Sequence, residues 1–166
     1  MATPTTLPAS FTATNVLTAA QLNNLRGAFR ILQIVSGTYA TATSNSTSTY
    51  ADTGLTASIT PSDTASKILV IVNHFAVYKA AGNAATGLNL RLYRGATIIG
   101  TYTGGIGYTN SSSELTSSAN IVYLDSPATT SATTYKTQFA NAANAASVQV
   151  QAGNTTSSII LCEVSA

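Results

Sequence analysis

Polar and apolar residues alternate one by one along most of this chain, the period of a strand with one face buried. The alternation begins at Ile31-Leu32-Gln33-Ile34-Val35, which opens a first strand. Residues 38–50 alternate Thr and Ser with Ala, Tyr and Asn, as in a solvated strand pair. Leu55-Thr56-Ala57-Ser58-Ile59 alternates cleanly, and Pro61-Ser62-Asp63 supplies the turn that follows. The most apolar stretch is 67–75, where Ile68, Val70 and Val72 point one way and Leu69 and Ile71 the other. That pattern predicts a central strand buried on both faces. Residues 88–93 and 97–102 flank Arg94-Gly95-Ala96 as a hairpin, and Gly100, Gly104, Gly105 and Gly107 surround an expected flexible loop. Strands over 120–124, 133–139, 147–151 and 157–164 complete the set.

Before residue 31 the period is different. Residues 2–15 carry Pro4 and Pro8 among Thr, Ala and Ser. Proline fixes φ and removes a donor, so this stretch predicts an extended arm. Thr18-Ala19-Ala20-Gln21 then has the form of a capping box, with Leu17 and Leu22 at the two positions of a hydrophobic staple. Leu22, Leu25 and Phe29 follow as one apolar stripe at helical spacing. The helix so predicted is short, about ten to twelve residues, and marginal alone in water. Gly27 costs it a further ~1 kcal/mol relative to alanine. Such a helix needs a surface to lie on: its own domain, a symmetry mate or another protein. Leu17, Leu22, Leu25 and Phe29 are therefore the candidate assembly or docking residues.

Roughly eight to ten short strands with one helix at the front leave no long interior helix for a parallel sheet. The expected fold is all-β, an antiparallel jelly-roll-like β-sandwich over 31–166. An extended arm and one short N-terminal helix precede it over 1–30.

Composition bears on function. Only 7% of the 166 residues are charged, and there is one His and one Cys. Catalysis usually brings several ionisable groups together and tunes them against each other. Here Asp52, Asp63, Glu114, Asp125, Glu163, His74 and Cys162 are spread thinly from end to end. The expectation is a structural protein rather than an enzyme, with no catalytic residue, cofactor or metal ligand nominated. His74 has no His, Cys or carboxylate at metal-ligand spacing and reads as structural or interfacial. Cys162 alternates inside the last strand as a small buried hydrophobe, and a single Cys excludes an intrachain disulfide. Gly104-Gly105-Ile106-Gly107 lacks the spacing, the capped helix and the Lys-Ser/Thr continuation of a phosphate-binding loop.

Lys67, Lys79, Arg91, Arg94 and Lys136 are scattered at a net charge of +2, so no nucleic-acid partner is expected. The apolar runs are too short to span a bilayer, and the first residues lack the basic and apolar regions of a signal peptide. No membrane partner is expected either. Few charges leave little repulsion between copies, which suits a subunit whose surface is taken up in an assembly. Eight tyrosines outnumber four phenylalanines, and Trp is absent. Tyrosine suits half-buried positions, where the ring packs and the hydroxyl stays wet. Tyr102 and Tyr108, beside the Gly-rich segment, form a candidate ligand or interface loop that either covers a sheet face or subunit contact or stacks on a sugar.

The segment Phe11-Thr12-Ala13-Thr14-Asn15-Val16-Leu17-Thr18-Ala19-Ala20-Gln21-Leu22-Asn23-Asn24-Leu25 resembles the N-terminal segment of many tailed-bacteriophage virion proteins. Thr53-Gly54-Leu55-Thr56-Ala57-Ser58-Ile59-Thr60-Pro61 and Ser66-Lys67-Ile68-Leu69-Val70 are similar to a β-domain common in such proteins. So are Asp125-Ser126-Pro127 with Thr133-Thr134-Tyr135-Lys136, and Ser158-Ile159-Ile160-Leu161-Cys162-Glu163-Val164. The resemblance implies a virion component built as a small sandwich, a homotrimer with an N-terminal anchor, and it carries no catalytic residues.

Within that family such domains occur in capsid-surface proteins, fibres and tail appendages. The first expectation is a capsid decoration (cement) protein at the virion surface, docked on the major capsid protein by its arm and helix. The alternative is a short tail-fibre or tail-tip adhesin among the tail proteins, with the loops around 104–108 reading a host surface glycan. A long receptor-reaching fibre is not expected, since the 166 residues hold no shaft or repeated coiled-coil segment. A hydrolase would need a carboxylate pair, and Glu114 and Asp125 are the only nearby acids in the second half.

Overall fold

The structure, a computed structural model, describes residues 31–165. The expected arm and N-terminal helix, with Leu17, Leu22, Leu25 and Phe29, lie outside the described residues. Ten strands follow in order: β1 (Ile31–Tyr39), β2 (Thr43–Asn45), β3 (Ala51–Ile59), β4 (Lys67–Lys79), β5 (Leu88–Arg94), β6 (Thr97–Ile106), β7 (Leu115–Asp125), β8 (Thr133–Asn141), β9 (Val148–Val150) and β10 (Ser157–Val164). A single 3-10 turn, Ala152–Asn154, separates the last two.

All pairings are antiparallel and fall into two sheets. In the first, β1 pairs β10, β10 pairs β4, and β4 pairs β7 on its other side. Past the end of β10, β9 takes its place beside β4, and β2 takes that of β1. Thus β1–β2 and β9–β10 each act as one interrupted strand. The second sheet runs β3, β8, β5, β6.

The core lies between the sheets. Ile68, Val70 and Val72 of β4, Ile121 of β7, and Ile159 and Leu161 of β10 meet Leu55 and Ile59 of β3, Leu90 and Leu92 of β5, and Tyr135 and Phe139 of β8. The sheets close directly on each other where β1 meets β3. A Cβ on Gly37 would stand 2.2 Å from the carbonyl oxygen of Thr56, so this contact requires glycine.

Three expectations need correction. The apolar strand does not stop at Phe75 but runs to Lys79, through a bulge in its register with β7 between His74 and Val77. Ala76, at φ 47, sits in that bulge. The one extra residue reverses the alternation, so that even-numbered positions face the core before the bulge and Val77 and Lys79 face it afterwards. Nor is this strand fully buried on both faces: Ile68, Val70 and Val72 are buried, while Leu69 and Ile71 are half-exposed on the outside of the sheet. Finally, Gly100, Gly104 and Gly105 are not in a loop. They belong to β6, where Gly104 (φ 130) and Gly105 (φ 67) form a bulge against β5. The Asn89 side-chain carbonyl accepts from both of their N–H groups at 3.3 Å.

Candidate functional site

The inward phase of several strands carries polar side chains, and these tie the two sheets to each other or a strand to an adjoining loop. His74 continues the inward positions of Val70 and Val72 on β4 and is fully buried. Its Nε2 lies 3.0 Å from Thr137 Oγ1 on β8, whose hydroxyl is 2.7 Å from Thr53 Oγ1 on β3. The Gln151 side-chain amide lies 3.1 Å from Nδ1, so both ring nitrogens are engaged by interior side chains. Burial pushes the imidazole pKa down to about 4, so the ring is neutral.

A second tie closes the end of the sandwich near the β5–β6 turn. Asp125, inward on β7, receives Arg94 Nη1 at 2.9 Å and the Tyr135 hydroxyl at 2.7 Å. Burial and this hydrogen bond to a carboxylate both raise the tyrosine pKa. A third tie holds Glu163, which follows Ile159 and Leu161 inward on β10 and is fully buried. It accepts from Gln33 Nε2 at 2.6 Å, and from the Ser62 backbone N–H and hydroxyl at 2.7 and 2.6 Å. Burial alone would raise its pKa, but these donors outweigh it and hold the carboxyl at about 2. Lys79, buried at the end of β4, donates to Thr109 Oγ1 at 2.9 Å and to the Ser111 carbonyl.

Sequence reasoning nominated His74 as structural and missed the other three. Their signal was strand phase: Glu163, Asp125 and Lys79 each sit two residues from a side chain packed in the core on the same face. These groups are committed to one another inside the sandwich, where they act as fasteners.

The nominated tyrosines differ in placement. Tyr102 is half-buried and packs on the core, and burial raises its pKa. Tyr108 follows β6 and is 50% exposed, its hydroxyl 3.1 Å from the Asn110 side-chain oxygen. Cys162 is buried in the sheet, on its outward phase. Among the described residues no group of three or more His, Cys, Asp or Glu could hold a metal ion, and no helix is long and apolar enough to cross a membrane.

What the sandwich offers outward is two broad sheet faces. On the second sheet the outer rows are polar, with Arg91 stacked 3.7 Å over the Tyr50 ring and Lys136 2.9 Å from Asp52. On the first sheet they are apolar. Register aligns Ile34, Cys162, Leu69 and Leu124 in one row and Ser36, Ile160, Ile71 and Val122 in the next. Val122, Ile34 and Leu124 are 69%, 62% and 52% exposed, so the row ends are open while the middle is half-covered by its neighbours. No protein-family model matches the chain, and no curated protein matches it.

Proposed function

We propose that this chain is a non-enzymatic structural protein of a tailed-bacteriophage virion, a capsid decoration protein that docks by its N-terminal arm. We further propose that its fold is a jelly roll. Counting each interrupted strand once, the sheets read 1-8-3-6 and 2-7-4-5, the nested order of two Greek keys. That architecture is common in viral capsid and lectin domains. The observation that carries the functional reading is the use of the interior polar groups. His74 and Asp125 fasten sheet to sheet, Glu163 fastens β10 to β1 and to the turn after β3, and the sandwich presents extended faces to its surroundings. Together with the resemblance of residues 11–25 to virion proteins, this favours assembly over turnover. A homotrimer belongs to the same proposal.

The test is the position of the chain in intact particles by cryo-electron microscopy. Density repeated over the shell lattice is the expected result, and density confined to the tail would overturn it. The tail-tip adhesin is the second reading, favoured by the exposed Tyr108 beside Gly105 and Gly107. Tyr108→Ala would then lower adsorption to the host; unchanged adsorption removes its motive.

A further inference from the structure

We infer that the outer face of the first sheet is covered by this chain's own N-terminal segment, with Leu22, Leu25 and Phe29 seated on the rows centred on Cys162 and Ile160. The inference goes beyond the proposed function and holds for the isolated chain.

The face is unlike an ordinary solvated sheet surface. Among its outward strand positions, Leu32, Ile34, Val164, Ile160, Leu69, Ile71, Val122 and Leu124 gather at one end, and Lys67 is the single charge. The next row, Thr38, Ser158, Asn73 and Asn120, is polar and bounds the patch. A contiguous apolar patch of this kind marks a contact surface.

Position, length and area identify the occupant. The thirty residues before Ile31 lie outside the described structure, and they join β1 at the margin of this patch. The stripe Leu22, Leu25 and Phe29 lies within nine residues of Ile31. A helix of twelve residues is about 18 Å long and about 10 Å wide. Four strands about 4.8 Å apart, in three rows about 7 Å apart, make a face of roughly 400 Å². One short helix laid across the strands spans that width. A second copy would need more, since a stable interface takes about 800 Å² from each partner. Tethering also gives the segment a high effective concentration that a free partner lacks. Seating the stripe here leaves residues 2–15 as the part of the N-terminus available for docking elsewhere.

The test uses the full chain carrying Cys162→Ala and Val122→Cys, which places one thiol at the open end of the patch. Labelling of that thiol should be about tenfold slower than in the same chain carrying Leu22→Asp, Leu25→Asp and Phe29→Asp, at every protein concentration. Equal rates would overturn the inference. So would protection that disappears on dilution together with a multimer, because a second copy would then be the cover. A companion chain with Leu25→Cys, Val122→Cys and Cys162→Ala needs no charged substitution and guards against misfolding. It should oxidise to an intrachain disulfide; interchain dimers alone, or no disulfide, would overturn the assignment.

Discussion

On the outer face of the second sheet, Asp52, Gln138, Arg91 and Thr101 line one cross-strand row, and Thr56, Lys136, Tyr93 and Ile98 the next. The matching face of the first sheet carries Ile34, Cys162, Leu69 and Leu124, then Ser36, Ile160, Ile71 and Val122. Both sheets bury the same kind of side chain inward, so core packing does not separate them. The outward phase does. Charged and polar rows gain nothing from a cover, whereas an apolar row exposed to water is a standing cost of about 25 cal/mol per Å². A strand buried on its inner face needs only alternation. The second apolar phase of β4 and β10 therefore points to a layer beyond the sandwich itself.

Both faces depend on the corner where β1 closes on β3, and the largest effect is expected there. Gly37→Ala drives a methyl into the Thr56 carbonyl, and backbone cannot give way as a flexible side chain can. We expect a loss of about 3 kcal/mol or more in urea unfolding. A smaller cost would mean that the two sheets are more loosely joined at this corner than their geometry indicates.

Acid should act next, and on both faces together, because its targets lie between them. The folded pKa of His74 is lowered from 6.5 to about 4, so the unfolded chain binds that proton first. Its contribution is present above pH 6.5 and is lost as pH falls from 6.5 towards 4, in total roughly 3 kcal/mol. Glu163, held at about 2 against 4.5, contributes stability present above pH 4.5 and lost as pH falls through its folded value. Stability measured by urea unfolding should therefore fall in two stages on acidification. Glu163→Gln should remove the lower stage and leave the upper one, and an unchanged profile would disconnect that tie from acid sensitivity.

The faces themselves separate in a paired substitution. Ile71→Asp, in the middle of the apolar face, should cost about 2–3 kcal/mol in the full chain if that face is covered. Thr101→Asp, exposed on the polar face opposite Arg91, should stay within about 0.5 kcal/mol. Equal costs in urea unfolding would erase the distinction between the faces.

Much of this was legible in the sequence. The strand at 157–164 was read to the residue, and the hairpin around Gly95 and the turn after Pro61 were anticipated from turn chemistry. The bulge at Ala76 was not, because one non-glycine residue at positive φ leaves no mark in a pattern of polar and apolar positions. The glycines of β6 were misread for the converse reason: they signal an irregular backbone, and a bulge inside a strand is one. Leu69 and Ile71 looked buried because a side chain's polarity reports that it avoids water, without reporting what it avoids water against. The fasteners at Glu163 and Asp125 lay in plain phase with the core, yet a lone acid in a strand is more readily assigned to a surface. Tyr102 and Tyr108 were paired by sequence proximity, and the strand separates them into one ring on the core and one in solvent.

The smallest effect expected is that of the ion pair on the polar face. Lys136 Nζ stands 2.9 Å from Asp52, and Gln138 Nε2 donates to the same carboxylate at 2.8 Å. The hydrogen bond from Lys136 leads the interactions that lower the Asp52 pKa. Both side chains are solvated, at 31% and 56% exposure, so water and salt screen most of their attraction. A double-mutant cycle with Lys136→Ala and Asp52→Ala should give a coupling of about 0.2–1 kcal/mol that shrinks as salt is raised. A larger coupling that salt leaves unchanged would mean that this face, too, is shielded from water in the working protein. Covered and open faces would then no longer be the difference between the two sheets.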